Sequence, residues 1–277
     1  MSSKIVLDSS GNLHTFEGID FISVPLKILA GDREFVDDEM TDVEEMVRFL
    51  GEYKGKASTS CPGVGEYLDA FGDAENVYCV TITSNLSGSC NAAEVAARTY
   101  LEQHPERKIH VFDSLSTAGE MALIAEKIRE LIQIKTPFEA IVQQIKNYQQ
   151  KTRLLFSLES LHNLANNGRV PGAVAALAGM LGIRLIGKAS DVGTLQPTGK
   201  ARGEKKLIPE LMKHLCEMGY HGGKVRIDHC LNPNAAAKLR EMILEKFPLA
   251  DIRIGTSGAL CSFYAEKGGL LIGFEIA

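Results

Sequence analysis

The chain has 277 residues, 45% hydrophobic and 23% charged, with a formal net charge of −5. That is an ordinary globular composition, long enough for one large domain or two medium ones. The acidic balance, with no dense Lys/Arg stripe, excludes a nucleic-acid footprint. Residues 170–189 form the longest weakly polar stretch, but Arg184, Lys188, four glycines and a proline break it up too much for a membrane span.

In chain order, Lys4-Ile5-Val6-Leu7 is a short apolar run ending at Asp8, and Met1-Ser2-Ser3 leads straight into it, which predicts no signal peptide. Residues 21–29 form a second extended run with Pro25 at an edge or bend. Thr41-Asp42-Val43-Glu44 reads as a capping box, with Thr41 the N-cap, for a helix to about Tyr53. Pro62 suits the first turn of a helix to about Phe71. Residues 76–82 and 108–113 are strands, followed by helices over 88–103 and 116–133. Thr136-Pro137-Phe138-Glu139 is a second capping box, opening a helix to about Gln150.

The second half begins near Lys151 with a strand over 152–157 and a helix over 158–166, stopped by Asn167-Gly168. Residues 171–181 form a helix rich in Ala and Gly. Residues 183–189 and 194–198 suggest a hairpin around Asp191-Val192-Gly193. A helix over 203–218, a strand over 224–228, a helix over 233–247 and strands over 251–254 and 270–276 complete the chain. The expectation is an α/β protein of two domains. Residues 1–150 form a parallel α/β/α sheet, and residues 151–277 a mixed α+β domain.

The most informative features are the Ser/Thr-rich turns. Ser58-Thr59-Ser60-Cys61-Pro62 and Thr83-Ser84-Asn85-Leu86-Ser87-Gly88-Ser89 each lie between a hydrophobic run and a helix. Asp8-Ser9-Ser10 and Asp113-Ser114-Leu115-Ser116-Thr117 are similar. Plain N-capping accounts for any one such hydroxyl. Four such turns on one sheet edge suggest a neutral cradle for an anion, made of hydroxyls and helix N-terminal N–H groups. Gly88 would let a ligand approach the backbone closely.

Missing motifs narrow the ligand. There is no G-x-G-x-x-G after the first strand, no P-loop and no zinc spacing. Asp8 and Asp113 read as caps rather than magnesium ligands, so no metal or cofactor is expected. The six cysteines occur singly, which suits reduced thiols in the cytoplasm. A rival reading is a hydrolase or transferase on a small carboxylate or phosphate, with Ser87 or Cys61 as nucleophile. It lacks a base, because no histidine falls in a strand-end turn of the first half. The Ala/Gly helix leaves room for close packing or for a slim ligand. Joined to an anion cradle, it suggests an acidic head with an apolar tail. Burying a chain of about 16 carbons offers roughly 12 kcal/mol gross.

Taken together, Ile5-Val6-Leu7-Asp8-Ser9-Ser10, Thr59-Ser60-Cys61-Pro62, Leu86-Ser87-Gly88-Ser89, Asp113-Ser114 and Asn167-Gly168-Arg169-Val170 resemble the DegV family in order and spacing, over essentially the whole chain. The resemblance implies a bacterial fatty-acid-binding protein that is not itself an enzyme. The ligand would be a long-chain acid such as palmitate, stearate or oleate, held between the domains with the second closing over the acyl chain. It also implies a fatty acid kinase subunit as partner and allows transient membrane contact. By this resemblance Thr59 and Ser87 hold the carboxylate, helped by Ser60, Gly88 and Tyr264, while Arg169 and Arg202 serve the binding face or the kinase contact. Tyr264 stands where many members carry a histidine, and Cys61-Pro62-Gly63 departs from the family's Gln-Pro-Ser.

Overall fold

The computed structural model describes residues 2–171 and 182–277. The expected small-residue helix over 171–181 lies, apart from Pro171, outside the described residues.

Strands β1 (Ser3–Asp8), β2 (Asp20–Val24), β6 (Asn76–Thr81) and β7 (Lys108–Asp113) form a parallel sheet in the order β2-β1-β6-β7. The chain leaves β1 toward β2 on one side and later continues through β6 and β7 on the other. The carboxyl ends of β1 and β6 therefore flank a point where strand order reverses, the usual place for a ligand crevice. Helices α2 (Val64–Phe71) and α3 (Ser89–Gln103) bury an apolar face of this sheet that includes Val6, Val77 and Cys79. Helices α4 (Ala118–Gln133) and α5 (Phe138–Gln149) bury the other, through Ile5, Leu7, Tyr78 and Val80. The alternation of Ile5 and Leu7 with Val6 is the period-2 pattern of a strand covered on both faces.

A six-stranded sheet follows in the order β10-β9-β8-β13-β11-β12. Its strands are β8 (Thr152–Leu158), β9 (Ile183–Ala189), β10 (Leu195–Arg202), β11 (Val225–His229), β12 (Ile252–Thr256) and β13 (Leu270–Glu275). Only β11 and β12 run parallel, so the sheet is mixed, as expected. Helices α7 (Glu204–Glu217) and α8 (Pro233–Lys246) cover one face, packing on Leu155, Ile227 and Ile272. The short helix α6 (His162–Asn166) follows β8.

Helix α4 is shared by both large sheets and is buried almost all round, as a helix between two layers must be. Its approach to β13 is backbone to backbone. A Cβ on Gly273 would lie 2.1 Å from Gly119 C, and one on Gly119 would lie 2.5 Å from Arg226 O. Beside this contact Arg226 donates to both oxygens of Glu126, at 2.7 and 2.6 Å, and both residues are buried.

A third sheet was not expected. Strands β3 (Lys27–Ala30), β4 (Arg33–Val36) and β5 (Ser58–Ser60) form an antiparallel sheet in the order β4-β3-β5. It packs with α1 (Val43–Glu52) and α9 (Ala259–Ala265), a late helix also absent from the sequence reading. The single run expected over 21–29 is thus two strands in two sheets, broken at Pro25, which has no N–H for a ladder.

Caps and ends differ in detail. Asp42, not Thr41, caps α1 by accepting from Glu45 N at 2.9 Å, while the Thr41 hydroxyl donates to the Val36 carbonyl. Thr136 does not cap α5, whose N-cap is Pro137, with no side-chain bond. The helix expected over 158–166 shrinks to α6 because β8 runs on through Leu158.

Candidate functional site

The segments that follow β2, β6 and β7 face the second sheet across a cavity of about 790 Å³, open mouth included. The far wall is one face of that sheet, with Leu154, Phe156 and Leu158 from β8 and Leu271 from β13. The near wall carries Leu26, Ile82, Thr83 and Leu86. The tip of the β9–β10 hairpin closes one side. Gly193 there has φ 74° and comes so near that a Cβ would lie 2.1 Å from Thr83 Oγ1. Asn85 Nδ2 donates to the Val192 carbonyl at 2.6 Å, tying the tip to the loop after β6.

At the mouth the cavity turns polar. Thr59 Oγ1 and Tyr264 OH are hydrogen-bonded at 2.7 Å. Two hydroxyls carry two protons, and one bond between them uses one, so the pair keeps one proton to donate to a ligand. Burial pushes the Tyr264 phenol above its ordinary value, against the Thr59 bond and the Arg169 charge, so it is a neutral donor. Ser87 lines the same space, and its hydroxyl accepts from Ser89 N at 3.3 Å, which leaves its proton free to turn toward the cavity. Arg169 also lines it, with its guanidinium carbon 5.8 Å from the Tyr264 ring centre. Its Nε donates to the Leu86 carbonyl at 3.2 Å and its Nη1 to the Asn167 carbonyl at 2.6 Å. These partners are neutral, and among the described residues no carboxylate pairs with Arg169, so its charge is available to an anion at the mouth. The first turn of α3, just beyond Gly88, adds the positive end of a 15-residue helix.

The structure therefore brings together Thr59, Ser87, Tyr264 and Arg169. Gly88 sits beside them as the N-cap of α3, and its missing Cβ lets the Cys61 thiol approach, since a Cβ there would lie 3.1 Å from Sγ. Ser60 does not line the cavity. It follows Thr59 on β5, and neighbours on a strand point to opposite faces. Arg202 lies elsewhere, at the exposed end of β10, in a groove with Lys200, Lys205 and Lys206. The four hydroxyl turns do not share one sheet edge: three follow strands of the parallel sheet, while Thr59 comes from the small antiparallel one.

The remaining turn residues hold the mouth in place. Ser9 Oγ accepts from Leu26 N at 3.0 Å. Ser114 Oγ accepts from Ser116 N at 3.1 Å. Asp8 accepts from Ile82 N at 2.8 Å and Ser89 Oγ at 2.7 Å, and Asp113 from Leu115 N at 3.0 Å and Ser84 N at 3.2 Å. Asp8 is occupied by backbone and hydroxyl donors, and Asp113 by backbone donors. Among the described residues no cluster of His, Cys, Asp or Glu could hold a metal ion. No histidine is among the described cavity-lining residues, so neither Ser87 nor Cys61 has an imidazole base there.

Sequence reasoning left Arg169 at either the binding face or the kinase contact, and the structure puts it in the lining of the mouth. Sequence reasoning missed α9, which carries Tyr264. The short apolar run Ala259-Leu260-Cys261-Ser262-Phe263-Tyr264 between Gly258 and Gly268-Gly269 was the available signal.

The family model described as "Uncharacterised protein, DegV family" matches residues 2–276. A DegV domain-containing protein of Streptococcus pneumoniae is 43% identical over 280 residues, covering all of both chains. Among solved structures, the Fatty Acid Kinase (Fak) B3 protein of Streptococcus pneumoniae, loaded with linoleic acid, is 43% identical with a TM-score of 0.98, covering all of both chains. A DegV family protein from Eubacterium eligens loaded with heptadecanoic acid is also 43% identical, with a TM-score of 0.97 and the same full coverage.

Proposed function

The chain belongs to the DegV family, and from that premise we propose that it binds one long-chain fatty acid and presents the carboxylate to a fatty acid kinase subunit. The observation that carries this reading is an apolar cavity ending in Thr59, Ser87, Tyr264 and Arg169. The carboxylate sits at the mouth. It accepts from Ser87 and from the Thr59–Tyr264 pair and lies against the Arg169 charge. The tail lies on the leucines of the second sheet. Each buried methylene contributes about 0.8 kcal/mol, so the tail supplies affinity and the mouth supplies orientation.

The protein is a carrier in this reading, and phosphoryl transfer belongs to the partner. Arg202 and its lysine neighbours are the proposed partner surface. The two-domain division at residue 150 is retained, with the shared helix α4 bridging the parts. The six free thiols fit a reducing, cytoplasmic setting. Denaturing mass spectrometry of the purified protein is expected to release fatty acid in near-equal amount. A protein that carries none, and that takes up neither oleate nor palmitate, overturns the proposal.

A further inference from the structure

The fatty-acid reading leaves open what decides which chains fit, and the wall of the cavity carries an answer. Leu158, Phe156 and Leu154 lie two residues apart on one face of β8 and all line the cavity. Together they span about 13 Å along the strand. Phe156, Leu158, Leu164 and Leu271 share one apolar cluster, against which Tyr264 at the mouth packs. Along β8, Phe156 stands midway between Leu154 and Leu158. Apart from Tyr264 at the mouth, Phe156 is the one aromatic side chain among the described residues lining the cavity.

Phe156 pairs with Leu271 on β13 and with Gly187 on β9. A Cβ on Gly187 would lie 2.3 Å from the Phe156 Cζ and 2.6 Å from Cε2. The ring therefore lies sideways over the glycine. Gly187 is not among the residues with positive φ, so its backbone does not demand a glycine. What demands it is the ring, together with the Gln196 carbonyl, 2.7 Å from the same Cβ position. With Leu271 filling the space on the β13 side, a ring displaced from Gly187 has the cavity to move into.

We propose that Phe156, seated on Gly187, sets the bore of the cavity at the middle of its β8 wall and so selects acyl chains by their width at that level. A straight saturated chain needs little room there, whereas a cis double bond bends the chain and needs more. Laid flat, the ring leaves that room. The inference rests on the fatty-acid reading and adds the residue pair that discriminates between chains.

The test is competition among palmitate, oleate and linoleate, offered in equal amounts to delipidated protein and read by native mass spectrometry. Gly187→Ala lifts the ring and is expected to lower the linoleate-to-palmitate ratio by about tenfold, within the range a small change in an apolar pocket produces. Phe156→Leu, which keeps an apolar wall, is expected to raise it by about threefold or more. If Gly187→Ala does not fold, Phe156→Leu decides alone. Ratios unchanged in folded, lipid-loaded variants overturn the inference and leave the fatty-acid reading standing. Wild-type protein that binds none of the three acids overturns both.

Discussion

At the mouth of the cavity four chain segments each supply one polar group, whereas the far wall is one face of one sheet. Thr59 and Tyr264, which touch, lie 205 residues apart in sequence, and Ser87 and Arg169 come from two further loops. Leu154, Phe156 and Leu158 come from a single strand and Leu271 from its neighbour. The mouth works through a few directional contacts, each worth about 1.5–3 kcal/mol when it meets a charge. The wall works through apolar area, at about 25 cal/mol per Å², and tolerates exchange of one apolar side chain for another of similar size. Changes at the mouth should therefore alter affinity for every acid alike, and changes in the wall should alter the choice among acids.

The largest expected effect tests the mouth. Arg169→Ala removes the one full positive charge among the described lining residues and is expected to weaken oleate binding by about 1.5–3 kcal/mol, roughly 10- to 150-fold. The loss should be equal for palmitate and linoleate. Tyr264→Phe removes a neutral donor and should cost less, about 1 kcal/mol. Titration calorimetry on delipidated protein measures both. If Arg169→Ala binds as well as wild type, the charge does not meet the carboxylate.

A smaller effect separates the supports of the two regions. Asp37 accepts from Ala259 N at the start of α9, behind the mouth. Glu120 accepts from Thr152 Oγ1 at 2.8 Å, at the start of β8 two residues before Leu154. Burial pushes Asp37 up to about 7, against the Ser9 hydroxyl and the Ala259 and Leu260 N–H groups that pull it down. Burial likewise pushes Glu120 up to about 7, against the Ser116 and Thr152 hydroxyls. Both values are raised above those of the unfolded chain. Between pH about 4 and about 7 the native state therefore holds more protons, and stability falls as pH rises through that window. Asp37→Asn and Glu120→Gln should each flatten this fall by an amount on the order of 1 kcal/mol, read from urea midpoints at pH 5 and pH 8. Only Asp37→Asn should also change oleate affinity, because only Asp37 holds the helix that carries Tyr264. Equal effects of the two variants on affinity would erase the distinction between mouth and wall.

The two regions were not equally legible. Strands of the parallel sheet and their helices showed in the sequence because they repeat a period of 2 and then 3.6 between clear turns. Lys108–Asp113 lies where its β-branched and aromatic alternation put it. The hydroxyl turns were visible too, because capping chemistry is local. What stayed hidden was pairing at long range. Ser58–Ser60 is three residues of polar strand that exist only because Lys27–Leu29 lies alongside. Nothing local says that its middle residue meets a tyrosine on a seven-residue helix near the C-terminus. Arg169 shows the same gap: its sequence context marks a turn, and only tertiary packing turns its side chain to the mouth.

The smallest expected effect concerns the other arginine. Arg202 is exposed in a groove with Lys200, Lys205 and Lys206 and does not line the cavity. Charges on an open surface are screened within about 8 Å at physiological salt. Arg202→Ala should thus leave oleate affinity within about twofold of wild type at that salt, and leave the palmitate-to-linoleate choice unchanged. If the fatty acid carried by the fully loaded variant is phosphorylated poorly by a fatty acid kinase subunit, the groove serves the partner and the mouth serves the ligand. A tenfold loss of oleate affinity would instead tie the groove to the cavity, and the two arginines could no longer be assigned separate tasks.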